Sequence, residues 1–72
     1  MTRSIFTRAN ALQKIYDLTL QDLLIDESHD LAAETAKRVH DFYLSSSNSV
    51  LAGWLADAIG DGDEAKFSVI ES

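Results

Sequence analysis

The chain has 72 residues, of which 46% are apolar, and twelve acids against six bases give a net charge of −6. This length allows one small domain, and because there is no Cys the domain has neither a disulfide nor a thiolate for catalysis or metal binding. The acidic balance disfavours a general nucleic-acid or membrane-surface binder. No Pro and three Gly argue against a turn-rich β fold. We therefore expect residues 1–72 to form a single domain of the all-α class.

The first predicted element is a helix over about residues 7–25. Thr19 and Asp22 have the spacing of a capping box, which leaves open a break near residues 18–19 and a second short helix beyond it. Leu18, Leu24 and Ile25 fall outside the helical pattern. The apolar stripe that remains consists of Leu12, Ile15, Tyr16, Thr19 and Leu23.

The second predicted helix covers about residues 29–44 and has the clearest pattern in the chain. Ser28 is placed to cap its free amides, and Asp30 lies favourably in its first turn. The expected buried face consists of Leu31, Thr35, Val39 and Phe42, with Ala32, Ala36 and Tyr43 on its flank.

The third predicted helix covers about residues 50–59, with Asn48 or Ser49 as its N-cap and Gly60 as the C′ residue that ends it. It is apolar nearly all round, and a helix of this kind is normally buried on all sides. We expect it to contact a second copy of the chain, which makes the protein a homodimer. The alternative is that the first helix and the C-terminal segment cover it within one chain. The expected interface residues are Leu51, Gly53, Trp54, Leu55 and Ala56.

Two short extended segments complete a compact bundle of three to four helices. Residues 66–70 read as a strand or an extended tail, and residues 4–7 are the other strand-like stretch. The two segments could form a small pairing of the N-terminal and C-terminal ends.

Charge is unevenly distributed along the chain. Residues 15–34 contain six acids and no base, which is either an ordinary solvated surface or a surface that imitates DNA phosphates and occupies a basic groove on a partner. The expected acidic surface consists of Asp22, Asp26, Glu27, Asp30 and Glu34. The candidate nucleic-acid contacts are the basic residues Arg3, Arg8 and Lys14.

No arrangement of residues predicts catalysis, a cofactor or a metal site. His29 and His40 are the two imidazoles, and three helical turns, about 16 Å, would separate them, too far for one metal ion. Each is followed by an Asp, but adjacent residues on a helix do not face each other. We therefore expect a protein that is not an enzyme and that has no catalytic residues, no bound metal and no cofactor.

These observations favour a small acidic binding or regulatory protein that acts through protein–protein contacts, with a basic groove on a nucleic-acid-binding protein as one target. The alternatives are a dimeric DNA-binding regulator that uses the basic N-terminal segment, and a structural homo-oligomer. The longest apolar stretch is Val50–Ala56, too short for a membrane span, and no secretory signal is visible. We therefore expect a cytoplasmic protein.

Overall fold

The computed structural model describes residues 4–63 and 66–71, and it is mostly helical. Its two strands pair in parallel, with Ser4 opposite Phe67 and Thr7 opposite Ile70. The predicted pairing of the terminal segments is therefore confirmed, and the fold combines three helices with a small parallel sheet instead of being purely helical. In chain order the elements are β1 (Ser4–Thr7), α1 (Arg8–Leu23), α2 (His29–Tyr43), α3 (Asn48–Ile59) and β2 (Phe67–Ile70).

Helix α1 is a single unbroken helix. It begins after Thr7, whose hydroxyl accepts a hydrogen bond from the amide of Asn10 at 3.2 Å, and it continues to Leu23. The break left open by the sequence near residues 18–19 does not occur. No Gly or Pro interrupts the backbone hydrogen bonds there, and Leu18 and Thr19 are both half-buried, so packing favours continuation of the helix.

Helix α2 begins at the predicted cap but buries a different face. The Ser28 hydroxyl accepts from the amide of Leu31 at 3.3 Å, as the sequence indicated. The fully buried side chains are Ala32 and Ala36, whereas Leu31 is 47% exposed and Phe42 is 72% exposed. The buried face is thus rotated by one residue from the predicted one. Small alanines let α1 approach closely, and α1 with α2 forms the most extensive contact of the fold.

Helix α3 starts earlier and ends differently from the prediction. Ser47 is its N-cap, with its hydroxyl accepting from the amide of Val50 at 3.3 Å, so the assignment to Asn48 or Ser49 is wrong. Gly60 has a φ of −105° and is the C-cap, not a left-handed C′ residue. Asp61 takes the left-handed conformation, with a φ of 55°. Asp is one of the few residue types that tolerate this conformation, because its short polar side chain can hydrogen-bond locally.

The core is small because the molecule is flat. The chain measures 38 × 24 × 14 Å along its principal axes. The large apolar side chains buried to 7% exposure or less are Leu12 and Ile15 of α1 and Leu51 and Leu55 of α3. Around them pack the half-buried side chains Phe6, Val39, Tyr43, Trp54, Phe67 and Val69. Among the described helices, none combines the length and the apolar character that crossing a membrane requires.

Gly60 is required by the close approach of β2 to the end of α3. A Cβ placed on Gly60 would lie 2.5 Å from Cε2 of the Phe67 ring and 3.3 Å from the Ala56 carbonyl oxygen. We expect Gly60→Ala to lower the free energy of unfolding by about 1–3 kcal/mol, because the ring must move out of a packed position. Urea denaturation followed by circular dichroism measures this change.

The matched control is the double variant Gly60→Ala with Phe67→Leu. The smaller side chain removes the steric conflict, so the cost of adding the methyl group should be smaller in the Phe67→Leu background than in the original chain. If Gly60→Ala lowered the free energy of unfolding equally in both backgrounds, this methyl group would not be in steric conflict with the Phe67 ring.

Candidate interaction surfaces

The turn between α1 and α2 has a well-defined backbone. We call residues 22–31 the hairpin tip. The amides of Asp26 and Glu27 both donate to the carbonyl of Leu23, at 3.2 and 2.9 Å, and Ser28 caps the helix that follows. The tip therefore presents its side chains from a hydrogen-bonded framework.

The predicted acidic surface surrounds this tip. All five of its carboxylates are exposed. Glu34 is partly compensated, because its Oε1 lies 2.9 Å from Nη2 of Arg38 in an exposed ion pair. The other four lie within the tip, and residues 15–36 contain no base. The five residues are Asp22, Asp26, Glu27, Asp30 and Glu34.

Three large apolar side chains are exposed between these carboxylates. Ile25 is 80% exposed, and Leu24 and Leu31 are each more than two-fifths exposed. The sequence pattern had already left Leu24 and Ile25 outside the apolar stripe of the first helix, which was the available signal. Leu31 was wrongly assigned to a buried face, and its exposure follows from the rotation of α2 toward its alanines.

The residues predicted to form an interface on α3 divide into two groups. Leu51, Leu55 and Ala56 are fully buried within one chain, so they are core residues and a partner could not contact them in this fold. This corresponds to the alternative reading, in which the chain covers the helix itself. Gly53 and Trp54 are half-buried and retain some accessible surface.

An aromatic series leads from the core to the surface near α3. The Trp54 ring lies 6.5 Å from the Tyr43 ring, which in turn meets the Phe42 ring edge-on at 5.1 Å. Phe42 is largely solvent-exposed, so the series ends in an apolar ring at the surface. The sequence pattern had placed Phe42 in the core and gave no indication of this series.

Arg8, one of the three candidate nucleic-acid contacts, is used by the fold. Its guanidinium donates to the carbonyl of Leu44 at 2.6 Å and to Oδ1 of Asn48 at 2.8 Å. Leu44 is the C-cap of α2, so Arg8 satisfies a free carbonyl at that helix end. Lys14 is exposed on α1. Arg3 lies outside the described residues.

The network around Arg8 also includes the C-terminal segment. The Asn48 side-chain amide donates to Oε1 of Glu71 at 3.2 Å, immediately after β2. Arg8, Asn48 and Glu71 therefore connect the start of α1, the start of α3 and the end of β2. Sequence reasoning missed this network, because its members are far apart along the chain.

A shallow cleft lies between α1 and α2, with a volume of about 370 Å³, and it is lined by Gln13, Tyr16, Lys37, His40 and Asp41. His40 packs edge-on against Tyr16, with their ring centroids 6.5 Å apart. Its Nδ1 lies 3.1 Å from Oδ1 of Asp41, so the expectation that adjacent helix residues do not meet is wrong here. The Asp side chain is short, and its carboxylate can turn toward the neighbouring ring.

The charges in this cleft are mutually compensated. Lys37 Nζ donates to Oδ2 of Asp41 at 2.8 Å. This hydrogen bond, followed by the bond from His40, holds the pKa of Asp41 below its ordinary value, and the same Asp41 contact raises the pKa of Lys37. The described residues contain no group of three or more His, Cys, Asp or Glu side chains that could hold a metal ion.

Comparison of the chain with protein-family models, with curated proteins and with solved structures gives no match.

Arg8 should contribute more to stability than its neighbour Lys14. We expect Arg8→Gln to lower the free energy of unfolding by about 1–2 kcal/mol, because it removes hydrogen bonds from a charged donor to a helix end and to Asn48. Lys14→Gln is the matched control and should stay within about 0.5 kcal/mol of the original chain. Urea unfolding measures both. Equal effects of the two substitutions would show that the Arg8 contacts do not stabilise the fold.

The Lys37–Asp41 contact should make stability depend on acid pH. The pKa of Asp41 is lowered in the folded chain, so its contribution is present at neutral pH and is lost as pH falls through the folded value. Melting temperatures at about pH 7 and about pH 2.5 should therefore differ less for Asp41→Asn than for the original chain.

Lys37→Met is the control for this pH effect, because it removes the main cause of the lowered pKa of Asp41. It should also reduce the pH dependence. The effect is small in both variants, since the pair is exposed. A pH dependence that both substitutions leave unchanged would contradict the assignment.

Proposed function

We propose that this protein is a small acidic binding protein, not an enzyme, that acts through protein–protein contact at its hairpin tip. One observation carries the proposal. Ten consecutive residues on a hydrogen-bonded turn expose four carboxylates and three large apolar side chains, with no Lys or Arg among them. The carboxylates belong to Asp22, Asp26, Glu27 and Asp30, and the apolar side chains to Leu24, Ile25 and Leu31.

The composition of the tip defines the chemistry of the partner. Exposed carboxylates attract a surface rich in Lys and Arg and accelerate association with it. Exposed apolar side chains supply contact area that salt does not screen. A basic groove with apolar walls, such as the nucleic-acid-binding groove of another protein, offers both. The tip would then compete with the nucleic acid for that groove.

The electrostatics of α1 further support a role in binding. Asp22 lies in the last turn of α1, and Asp26 and Glu27 follow directly after it. Negative charge at the C-terminal end of a helix opposes the helix dipole and costs stability, and no base in that turn offsets it. Asp22 is therefore not explained by helix stability. Asp26 and Glu27 lie between this helix end and Ser28, the N-cap of α2, where negative charge is favourable, and Asp30 lies favourably in the first turn of α2.

The alternative of a DNA-binding regulator has less support. Arg8 is bound to Leu44 and Asn48, which leaves Lys14 as the free exposed base of the basic segment within the described residues. One exposed base supplies little of the positive charge that binding to DNA phosphates requires. We further propose, as the sequence indicates, that the protein is cytoplasmic and forms a homodimer.

Neutralising the tip should weaken partner binding without unfolding the protein. The test is an affinity pull-down of tagged protein from lysate of its own host, washed at low and at high salt and analysed by mass spectrometry. We expect the original chain to retain a basic, nucleic-acid-binding partner at low salt, and the neutralised variant to bind that partner about tenfold or more weakly. The variant carries Asp22→Asn, Asp26→Asn, Glu27→Gln and Asp30→Asn.

A control variant makes the same change in net charge away from the tip and should bind as the original chain does. It carries Asp17→Asn, Asp57→Asn, Asp61→Asn and Asp63→Asn. Ile25→Ser is a third variant, and it should weaken the part of binding that survives salt. If both charge variants retained the partner equally, net charge and not the tip would be responsible. If the tip variant bound as well as the original chain, the proposal would be wrong.

A further inference from the structure

The outer edge of β1 is an unpaired strand edge. The sheet has the order β1-β2, so β1 has one strand neighbour among the described residues. The other side of β2 faces α3, across a groove of about 300 Å³ whose lining includes Asn48 and Ala52. An exposed strand edge presents backbone donors and acceptors that can pair with another strand.

The side chains of β1 do not protect this edge. Its sequence Ser-Ile-Phe-Thr contains no charge and no Pro, the features that natural edge strands use against pairing. Phe6 packs against the core, while Ile5 is 65% exposed. In the parallel register Thr7 lies opposite Ile70, and Ile70 is also about half exposed. The outer face of the sheet therefore carries two uncovered isoleucines.

The charge distribution indicates which partner fits this edge. A chain with a net charge of −6 repels its own copies over most of its surface. Residues 4–16 contain no acid and two bases, so two copies can meet here without opposing carboxylates. Of the two bases, Arg8 directs its guanidinium to Leu44 and Asn48 of its own chain. Lys14 lies on α1, outside the strand. The acidic hairpin tip lies at the far end of α1, about 24 Å away along sixteen helical residues, well beyond the Debye length of about 8 Å at physiological salt.

We propose that two copies of this chain pair antiparallel through the outer edges of β1, forming a four-stranded sheet of order β2-β1-β1-β2. With the twofold axis at Ile5, each Ile5 lies opposite its own copy on the same face of the sheet, a self-complementary apolar pair. The two-stranded sheet is marginal by itself and becomes part of a larger one. The dimer presents its two acidic tips at opposite ends. This inference is independent of what the tips bind.

The interface differs from the one expected from the sequence. Three of the five residues of that expected interface, Leu51, Leu55 and Ala56, are already buried within the chain. Pairing through β1 uses backbone groups and a side chain that the folded chain leaves exposed.

Sedimentation velocity tests the proposal first. Across about 1–500 µM protein, the mass should rise from 7.9 kDa toward twice that value. Ile5→Lys places two like charges opposite each other and should weaken dimerisation about tenfold or more, with a nearly unchanged melting temperature for the monomer. Ile25→Lys is the matched control, since it changes an even more exposed isoleucine, at the tip, and should leave dimerisation intact.

Disulfide trapping tests the register directly, because the chain has no Cys of its own. Residues directly opposite in an antiparallel pair have Cα atoms about 4.5–5.5 Å apart, within the range that a disulfide spans. Ile5→Cys should therefore form a covalent dimer under mild oxidation, and Ile25→Cys should not.

Three results would overturn the proposal. The first is a monomer at every concentration. The second is a dimer that Ile5→Lys does not weaken, which would move the interface elsewhere, for example to Phe42 and Trp54. The third is trapping through Ile25→Cys without trapping through Ile5→Cys. If the neutralised variant lost partner binding but still formed the dimer, partner binding through the tip and dimerisation through β1 would be independent properties.

Discussion

The parallel pairing of β1 with β2 is the interaction on which the rest of the structure depends. Parallel strands cannot be joined by a tight turn, so the chain between them must cross back, and here three helices make that crossing. The pairing carries Phe6 and Phe67 together, with their rings 6.2 Å apart, against the core formed by α1 and α3. It also brings β2 so close to the end of α3 that Gly60 has no room for a side chain.

The same pairing determines which parts of the molecule remain free. Because β2 lies between β1 and α3, the outer edge of β1 is left without a strand partner among the described residues. Because α1 leads away from β1, the turn that follows it lies at the other end of the helix. The molecule thus has an uncharged strand edge at one end of α1 and an acidic, partly apolar tip at the other. We have assigned self-association to the first and partner binding to the second.

Small size explains why so much apolar surface remains exposed. Among the described residues of this flat chain, four large apolar side chains form the buried core, and the most extensive contact, between α1 and α2, buries the alanines of α2. A polar network joins the start of α1 to the end of α2 and the start of α3 through the contacts of Arg8 with Leu44 and Asn48, and Asn48 extends it to Glu71 after β2. Apolar residues that the core cannot accommodate, such as Ile5, Ile25 and Phe42, are left at the surface, where they can serve contacts between molecules.

The sequence by itself determined the local features of this protein. Helical periodicity, the Ser28 cap, the strand-like ends and the exposed acidic segment depend on near neighbours along the chain, and pattern reasoning identified them. The tertiary structure decided what depends on distant neighbours. In the folded chain, α2 buries Ala32 and Ala36 instead of Leu31 and Phe42. Leu51 and Leu55 are buried within one chain. The Arg8 side chain caps the C-terminal end of α2. Close packing decides which face of a helix is buried, and this is not always its most apolar face. A hydrogen bond between residues 8 and 44 leaves no periodic signal in the sequence.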